Sequence, residues 1–286
     1  MNKLEFKPLL STLDDYDAYL FDLWGVIIEG VEVYANVVNA INQIAERRKV
    51  FFVSNAPRPN FASFERLKSW GLQVTAGSVY TSGEVARQMI SSSSISLNID
   101  RPLIYHLGAD RNDEILSNID CKLTQDITHA NILLLTLYRD EGDDLAEFDA
   151  LFESAASRNI VCICANPDTI IPNLGKNRYC SGYFGEKLEK LGGRVIYTGK
   201  PHAEIFNQVL STISEIPKHR ILMIGDTLDT DIIGANNVGI HSALVMTGNA
   251  QKFHAWSQDF DEKLSLLQEA ATRAKIIPTF VTALVK

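Results

Sequence analysis

Apolar residues fall in short runs, and stretches of helical spacing separate them from end to end of the chain. "AYLFDLW" (18–24) has the length of a strand. The stretch after it, 34–48, sets Val37, Ile41, Ile44 and Ala45 on one face, the period of a helix. "VFFVSNAP" (50–57) predicts a second strand, and a helix over 61–70 is stopped by Gly71. "SVY" (78–80) precedes Thr81 and Glu84, whose capping-box spacing starts another helix. Strands alternating with helices in this way predict an α/β fold with a parallel, doubly wound sheet.

The serine-rich stretch "ISSSSISLNIDRP" (90–102) reads as a linker. Beyond it the alternation restarts: "LIYHLG", a helix near 110–118, "NILLLTL", a helix near 143–157, "IVCICAN" and a helix near 182–191. "GGRVIYTGKPHAEIF" opens a third block, with "RILMIGD" and "HSALVMTG" as further strands. The layout predicts a core of 1–98 and 194–286, split by an inserted α/β domain of 99–193.

Composition narrows the function classes. The 286 residues are 46% hydrophobic and 22% charged, enough for a real core. The net charge of −8 disfavours nucleic acid and anionic membrane surfaces, which need a basic face. "MNKLEFKPLL" lacks the apolar core of a signal peptide, and "NILLLTLY" is too short to span a bilayer. The four cysteines, at 121, 162, 164 and 180, form no disulfide framework or zinc pattern. Cys162 and Cys164 read as buried structural thiols, and a cytoplasmic location is expected.

In open parallel sheets, ligands bind beyond the carboxyl ends of the strands. There the sequence places Asp22, then Ser54 and Asn55, then Asp226, Asp229 and Asp231. Lys200 stands before Pro201 and a helix whose apolar side is Ile205, Phe206, Val209 and Leu210; proline suits a first helical turn. Asp22 and Asp226 are hard oxygen ligands suited to Mg²⁺. Lys200, Ser54 and Asn55 can hold phosphate oxygens. Asp22 can attack phosphorus and form an aspartyl-phosphate. Each residue alone has a plainer reading: a cap, an acidic turn, a solvated lysine. Arg58, in "NAPRP", can also reach an anion, whereas His202, Tyr183 and Phe184 read as a solvated helix start and packing residues.

The ordered set "FDLWGV" (Asp22), "VSN" (Ser54, Asn55), "GKP" (Lys200) and "GDTLDTD" (Asp226, Asp231) resembles the haloacid dehalogenase superfamily of phosphohydrolases. Within the inserted segment, "ANPDTIIP" and "SGYFGEKLEKLGG" resemble the cap of its class IIA sugar-phosphatase and p-nitrophenyl-phosphatase branch. The resemblance implies a Rossmann-like core, a cap that closes over a small phosphorylated metabolite, and Mg²⁺. It implies that Asp22, Asp226, Asp231 and the backbone carbonyl of Trp24 hold the metal. Ser54, Asn55 and Lys200 would hold the phosphate, and Asn166, Pro167 and Asp168 would face the leaving group. Caps of this kind can pair, so a homodimer is compatible with it.

The sequence departs from the family at Trp24, where most members carry a second aspartate that moves protons. An indole N–H only donates. What is missing is general acid–base help, worth roughly 10²–10⁴-fold in rate. Three readings stand open: a phosphatase with a substitute acid such as Glu29 or Asp229, a weak or inactive relative that binds a phosphometabolite, and a dehalogenase whose aspartate attacks carbon. The Trp24 ring is also expected to fill space beside the nucleophile and exclude water.

Overall fold

A computed structural model describes residues 4–284, apart from Leu174 and the side chain of Arg111. Contacts divide the chain into two compact units, one of Met1–Ser54, Ser63–Tyr80 and Phe206–Lys286, the other of Asn55–Ala62 and Thr81–Ile205.

The chain opens with β1 (Ala18–Phe21), whose four residues are all buried, as a strand covered on both faces requires. A hairpin of β2 (Ile28–Glu29) and β3 (Glu32–Val33) follows. Helix α1 (Val37–Ala45) buries Val37, Ala40, Ile41 and Ile44 on one face. Then come β4 (Lys49–Ser54), α2 (Asn60–Ser69) and β5 (Val79–Thr81).

The capping signal at Thr81 is borne out: its hydroxyl accepts from the Glu84 amide at the start of α3 (Ser82–Ser91). The expected linker is instead structured. Ser92 leads into a short turn, α4 (Ser93–Ser96), with Ile90, Ser93 and Leu97 buried and Ile95 exposed. Leu97 packs in an apolar cluster with Ile104 and Ile132, which removes the freedom that the polar composition suggested. After this turn run β6 (Leu103–Gly108), β7 (Lys122–Leu123), β8 (Ile132–Thr136), β9 (Arg139–Asp140), α5 (Asp149–Ser157) and β10 (Val161–Cys164). Next are β11 (Ile170–Asn173), β12 (Lys176–Tyr179), α6 (Ser181–Lys190) and β13 (Arg194–Tyr197). The segment 110–116 is a 3-10 helix. Parallel strands order as β13-β10-β8-β6-β7, and β11-β12-β9 form a small antiparallel sheet. The core of this unit gathers Cys162, Cys164, Phe152 and Phe184, with Tyr183 against it.

The return segment supplies α7 (Ala203–Ser211), β14 (Ile221–Gly225), α8 (Ile233–Val238), β15 (His241–Val245), α9 (Phe260–Ala274) and β16 (Phe280–Thr282). The first unit's sheet has the order β16-β15-β14-β1-β4-β5. Its strands run in parallel from β16 to β4, a doubly wound, Rossmann-like arrangement. Strand β16 carried no sequence signal, because its three residues follow a helix and a proline without alternation.

The compact units do not share the boundaries drawn from the sequence. Strand β13 pairs with β10, and Ala86 and Ile90 of α3 pack with Ile132, Leu134 and Ile163, so both elements group with the second unit.

Phe152 and Phe184 are fully buried with ring centroids 6.2 Å apart. Phe152→Ala is therefore expected to destabilise the protein by about 3–5 kcal/mol, read from chemical denaturation followed by circular dichroism.

Candidate active site

Strand order reverses beside β1, since the chain leaves it toward β4 on one side and returns through β14 on the other. Phe21 is level with Ile224 of β14 and with Phe52 of β4. Asp22, Asp226 and Ser54 thus leave the carboxyl ends of three adjacent strands, where a doubly wound sheet binds its ligand. The Asp22 amide donates to the Ile224 carbonyl at 2.9 Å, carrying the ladder one residue beyond the strand. Asp231 sits in the single π-helical turn Leu228–Ile232 that follows β14. Carboxylate oxygens of Asp22, Asp226 and Asp231 all lie within 4.8 Å of one another, and all three residues are buried.

A cradle of short contacts holds Asp226. Its Oδ1 accepts from the Thr227 hydroxyl at 2.8 Å, and its Oδ2 accepts from the Asn249 amide at 2.6 Å. The Asn249 side chain donates to the Thr227 hydroxyl at 2.8 Å. Gly25 and Gly248 flank the same carboxylate, and a Cβ on either would collide with its Oδ2. Gly25 also has φ +79°, a conformation that side chains resist. The Thr247 hydroxyl donates to the Gly25 carbonyl at 2.5 Å and ties the two loops together. Asp231 accepts from the Thr227 amide at 3.1 Å. A Cβ at Gly225 would collide with the Asp231 side chain.

Trp24 is half-buried and packs against the main apolar core of this unit, while its backbone bridges to Ile28. That bridge starts the β2–β3 hairpin, whose Glu29 accepts from the Tyr34 hydroxyl at 2.9 Å. Burial and the Glu29 carboxylate push the Tyr34 phenol far up, the charge of Asp226 adds to this, and the Gly248 amide pulls part of the way back. Asp229 is exposed and lines a cleft with Phe253, Trp256 and Arg273.

In the second unit, Asn55, Asp168 and Lys200 come together. The Asn55 amide nitrogen donates to Asp168 Oδ1 at 2.8 Å and to the Lys200 carbonyl at 3.0 Å. Its Oδ1 accepts from the Lys200 amide at 2.8 Å. The Asn55 side chain thus engages Asp168 and both polar groups of the Lys200 backbone. Lys200 is 1% exposed. Gly199 is required beside it, because a Cβ there would sit 2.5 Å from Asn55 Oδ1. Pro201 falls in the turn ahead of α7 rather than in its first turn, so Lys200 lies three residues outside the helix. Asn166 Oδ1 accepts from the Asp168 amide at 3.0 Å, and Gly182 allows α6 to start against Pro167. Arg58 contributes its carbonyl, which accepts from the Thr81 hydroxyl. The His202 ring stacks on Tyr197, and burial lowers its pKa.

Sequence reasoning missed Tyr34, Thr227, Gly248 and Asn249. A glycine just after "ALVMT", at the carboxyl end of a predicted strand, was the available signal for the last two.

The acidic trio fits a hard divalent cation. Three carboxylates buried this close repel one another, and a cation offsets that cost. Mg²⁺ is held by one or two carboxylates together with waters and phosphate oxygens, and Asp22, Asp226 and Asp231 offer such oxygens.

Comparison with known proteins agrees with this geometry. Residues 19–122 match the family model described as haloacid dehalogenase-like hydrolase, and residues 197–278 match one described as HAD-hydrolase-like. The chain is 24% identical over 238 residues to an acid sugar phosphatase of Staphylococcus epidermidis, covering 82% of this chain and 87% of that one. It is 24% identical over 265 residues to a glycerol-3-phosphate phosphatase of Gallus gallus, covering 86% and 84%. A solved structure of a haloacid dehalogenase-like hydrolase from Brucella suis superposes with a TM-score of 0.77 at 27% identity, over 97% of this chain and 98% of that chain. The chain belongs to the haloacid dehalogenase-like hydrolases, on their phosphoric monoester hydrolase branch.

Proposed function

We propose that this enzyme hydrolyses the phosphate monoester of a small metabolite, such as a sugar phosphate, with Mg²⁺ and through an aspartyl-phosphate on Asp22. The observation that carries the reading is the set of three buried carboxylates within 4.8 Å of one another, two at the ends of adjacent strands and one in the π-helical turn that follows. The named relatives, an acid sugar phosphatase and a glycerol-3-phosphate phosphatase, support the substrate class.

In this reading Asp22, Asp226, Asp231 and the backbone carbonyl of Trp24 hold the metal. When bound, Mg²⁺ neutralises charge on the transferring phosphoryl group. Asp22 attacks phosphorus and the ester oxygen leaves; water then attacks the same phosphorus and returns Asp22 to a carboxylate. Lys200, with Ser54 and the backbone around Asn55, supplies donors for the phosphate oxygens. The Asn55 side chain would place Lys200. Asn166, Pro167 and Asp168 would meet the organic part of the substrate. The core would comprise 1–98 and 194–286, with 99–193 as the cap.

Retention of a complete acidic trio argues against both a dehalogenase, which needs no metal, and a relative that has lost its chemistry. No described helix is long and apolar enough to cross a membrane. Four cysteines that are all free suit a reducing cytoplasm.

With p-nitrophenyl phosphate and Mg²⁺, steady nitrophenolate release is expected, with loss of release on adding EDTA and in Asp22→Asn. Thr227→Val removes a donor from Asp226 and is expected to weaken Mg²⁺ binding by about 10–100-fold, measured by calorimetric titration.

A further inference from the structure

Hydrolysis of an aspartyl-phosphate releases a proton from the attacking water, and an acceptor placed for it contributes roughly 10²–10⁴-fold in rate. Asp22, Asp226 and Asp231 are committed to the phosphoryl group and the metal in the function proposed above, on which this inference rests. Trp24 accepts no proton. The sequence names Glu29 and Asp229 as substitute acids, and the structure separates them. Asp229 is exposed and belongs to the cleft against α9. Glu29 lies on the hairpin that begins at Trp24, with Tyr34 hydrogen-bonded to it. A Cβ on either Gly25 or Gly248 would collide with Asp226 Oδ2, so both loops pass close to that carboxylate. The Gly25 amide donates to the Ile28 carbonyl at 2.7 Å, so the hairpin that carries the Glu29–Tyr34 pair is anchored at the loop that flanks Asp226, within one compact unit.

We infer that Glu29 takes up the water proton through Tyr34 and so stands in for an acid at position 24. As the water oxygen bonds to phosphorus, its proton passes to the Tyr34 oxygen. The phenol proton passes in the same step to Glu29 Oε2. The bond from phosphorus to Asp22 breaks, and its electron pair returns to the Asp22 carboxylate. Inorganic phosphate leaves, and Glu29 later gives its proton to solvent or to the next leaving group. Tyr34 starts and ends as a neutral phenol. Its raised pKa suits that, because it does not ionise in the working range.

The test uses the full chain with Mg²⁺ and p-nitrophenyl phosphate, whose leaving group needs little protonation. Glu29→Gln and Tyr34→Phe are compared with the wild type by rapid mixing and by trapping phosphate on Asp22. A fall in kcat of about 100-fold or more is expected in each variant, with kcat/KM nearly unchanged. A burst of nitrophenolate and label accumulating on Asp22 should accompany it, and Glu29→Asp should recover part of the turnover. Unchanged kcat in both variants, or equal falls in kcat and kcat/KM without a burst, overturns the role of Glu29. Tyr34→Phe, which keeps the ring packing, decides the matter should Glu29→Gln fail to fold. A wild-type chain that neither turns over the ester nor takes label at Asp22 refutes the phosphatase function itself, a result distinct from the others.

Discussion

Mutual repulsion among three buried carboxylates is the constraint around which the first unit is organised. By Coulomb's law each pair at 4.8 Å repels by about 3 kcal/mol at an effective dielectric constant of about 20. The fold holds them together because their backbones are fixed independently of their charges. Asp22 and Asp226 leave neighbouring strands in fixed register, and Asp231 is carried by one π-helical turn. Donors from Thr227 and Asn249 stabilise the charged form of Asp226, and a divalent ion held there would offset the rest. Gly25 and Gly248 follow from the same demand, since neither position has room for a side chain beside Asp226.

A buried cation poses the corresponding problem in the second unit. Lys200 is almost wholly out of water, and the cost of burying an ammonium is large unless an anion shares the site. Asn55 fixes the Lys200 backbone from both sides, through its amide and its carbonyl. The hairpin after Trp24 is tied to the loop that flanks Asp226, since the Gly25 amide donates to the Ile28 carbonyl, and Tyr34 donates to Glu29 on it.

Periodicity alone was enough for the strands that build both parallel sheets, because continuous apolar runs such as "AYLF", "ILLL" and "VCIC" leave few alternatives to a strand buried on both faces. It was enough for the cap at Thr81, whose hydrogen bond spans three residues. It failed at 90–102, where serines that look like a linker are anchored by Ile90 and Leu97, and at β16, whose place is set by pairing with β15. The order of acidic, hydroxyl and lysine motifs identified most candidate residues, since each follows a strand end that the apolar pattern marks.

What the linear order determined was therefore local: which segments are strands and helices, and which reactive side chains end them. Only the folded chain decided the rest. Strand register brings positions 22 and 226 together from opposite parts of the sequence, and a glycine at 248 proves to be clearance for a carboxylate. The Asn55 side chain clamps the Lys200 backbone, and Glu29 pairs with Tyr34 on the hairpin after Trp24. The physical reason is that these contacts join residues far apart along the chain, where no periodic pattern or local hydrogen bond records them.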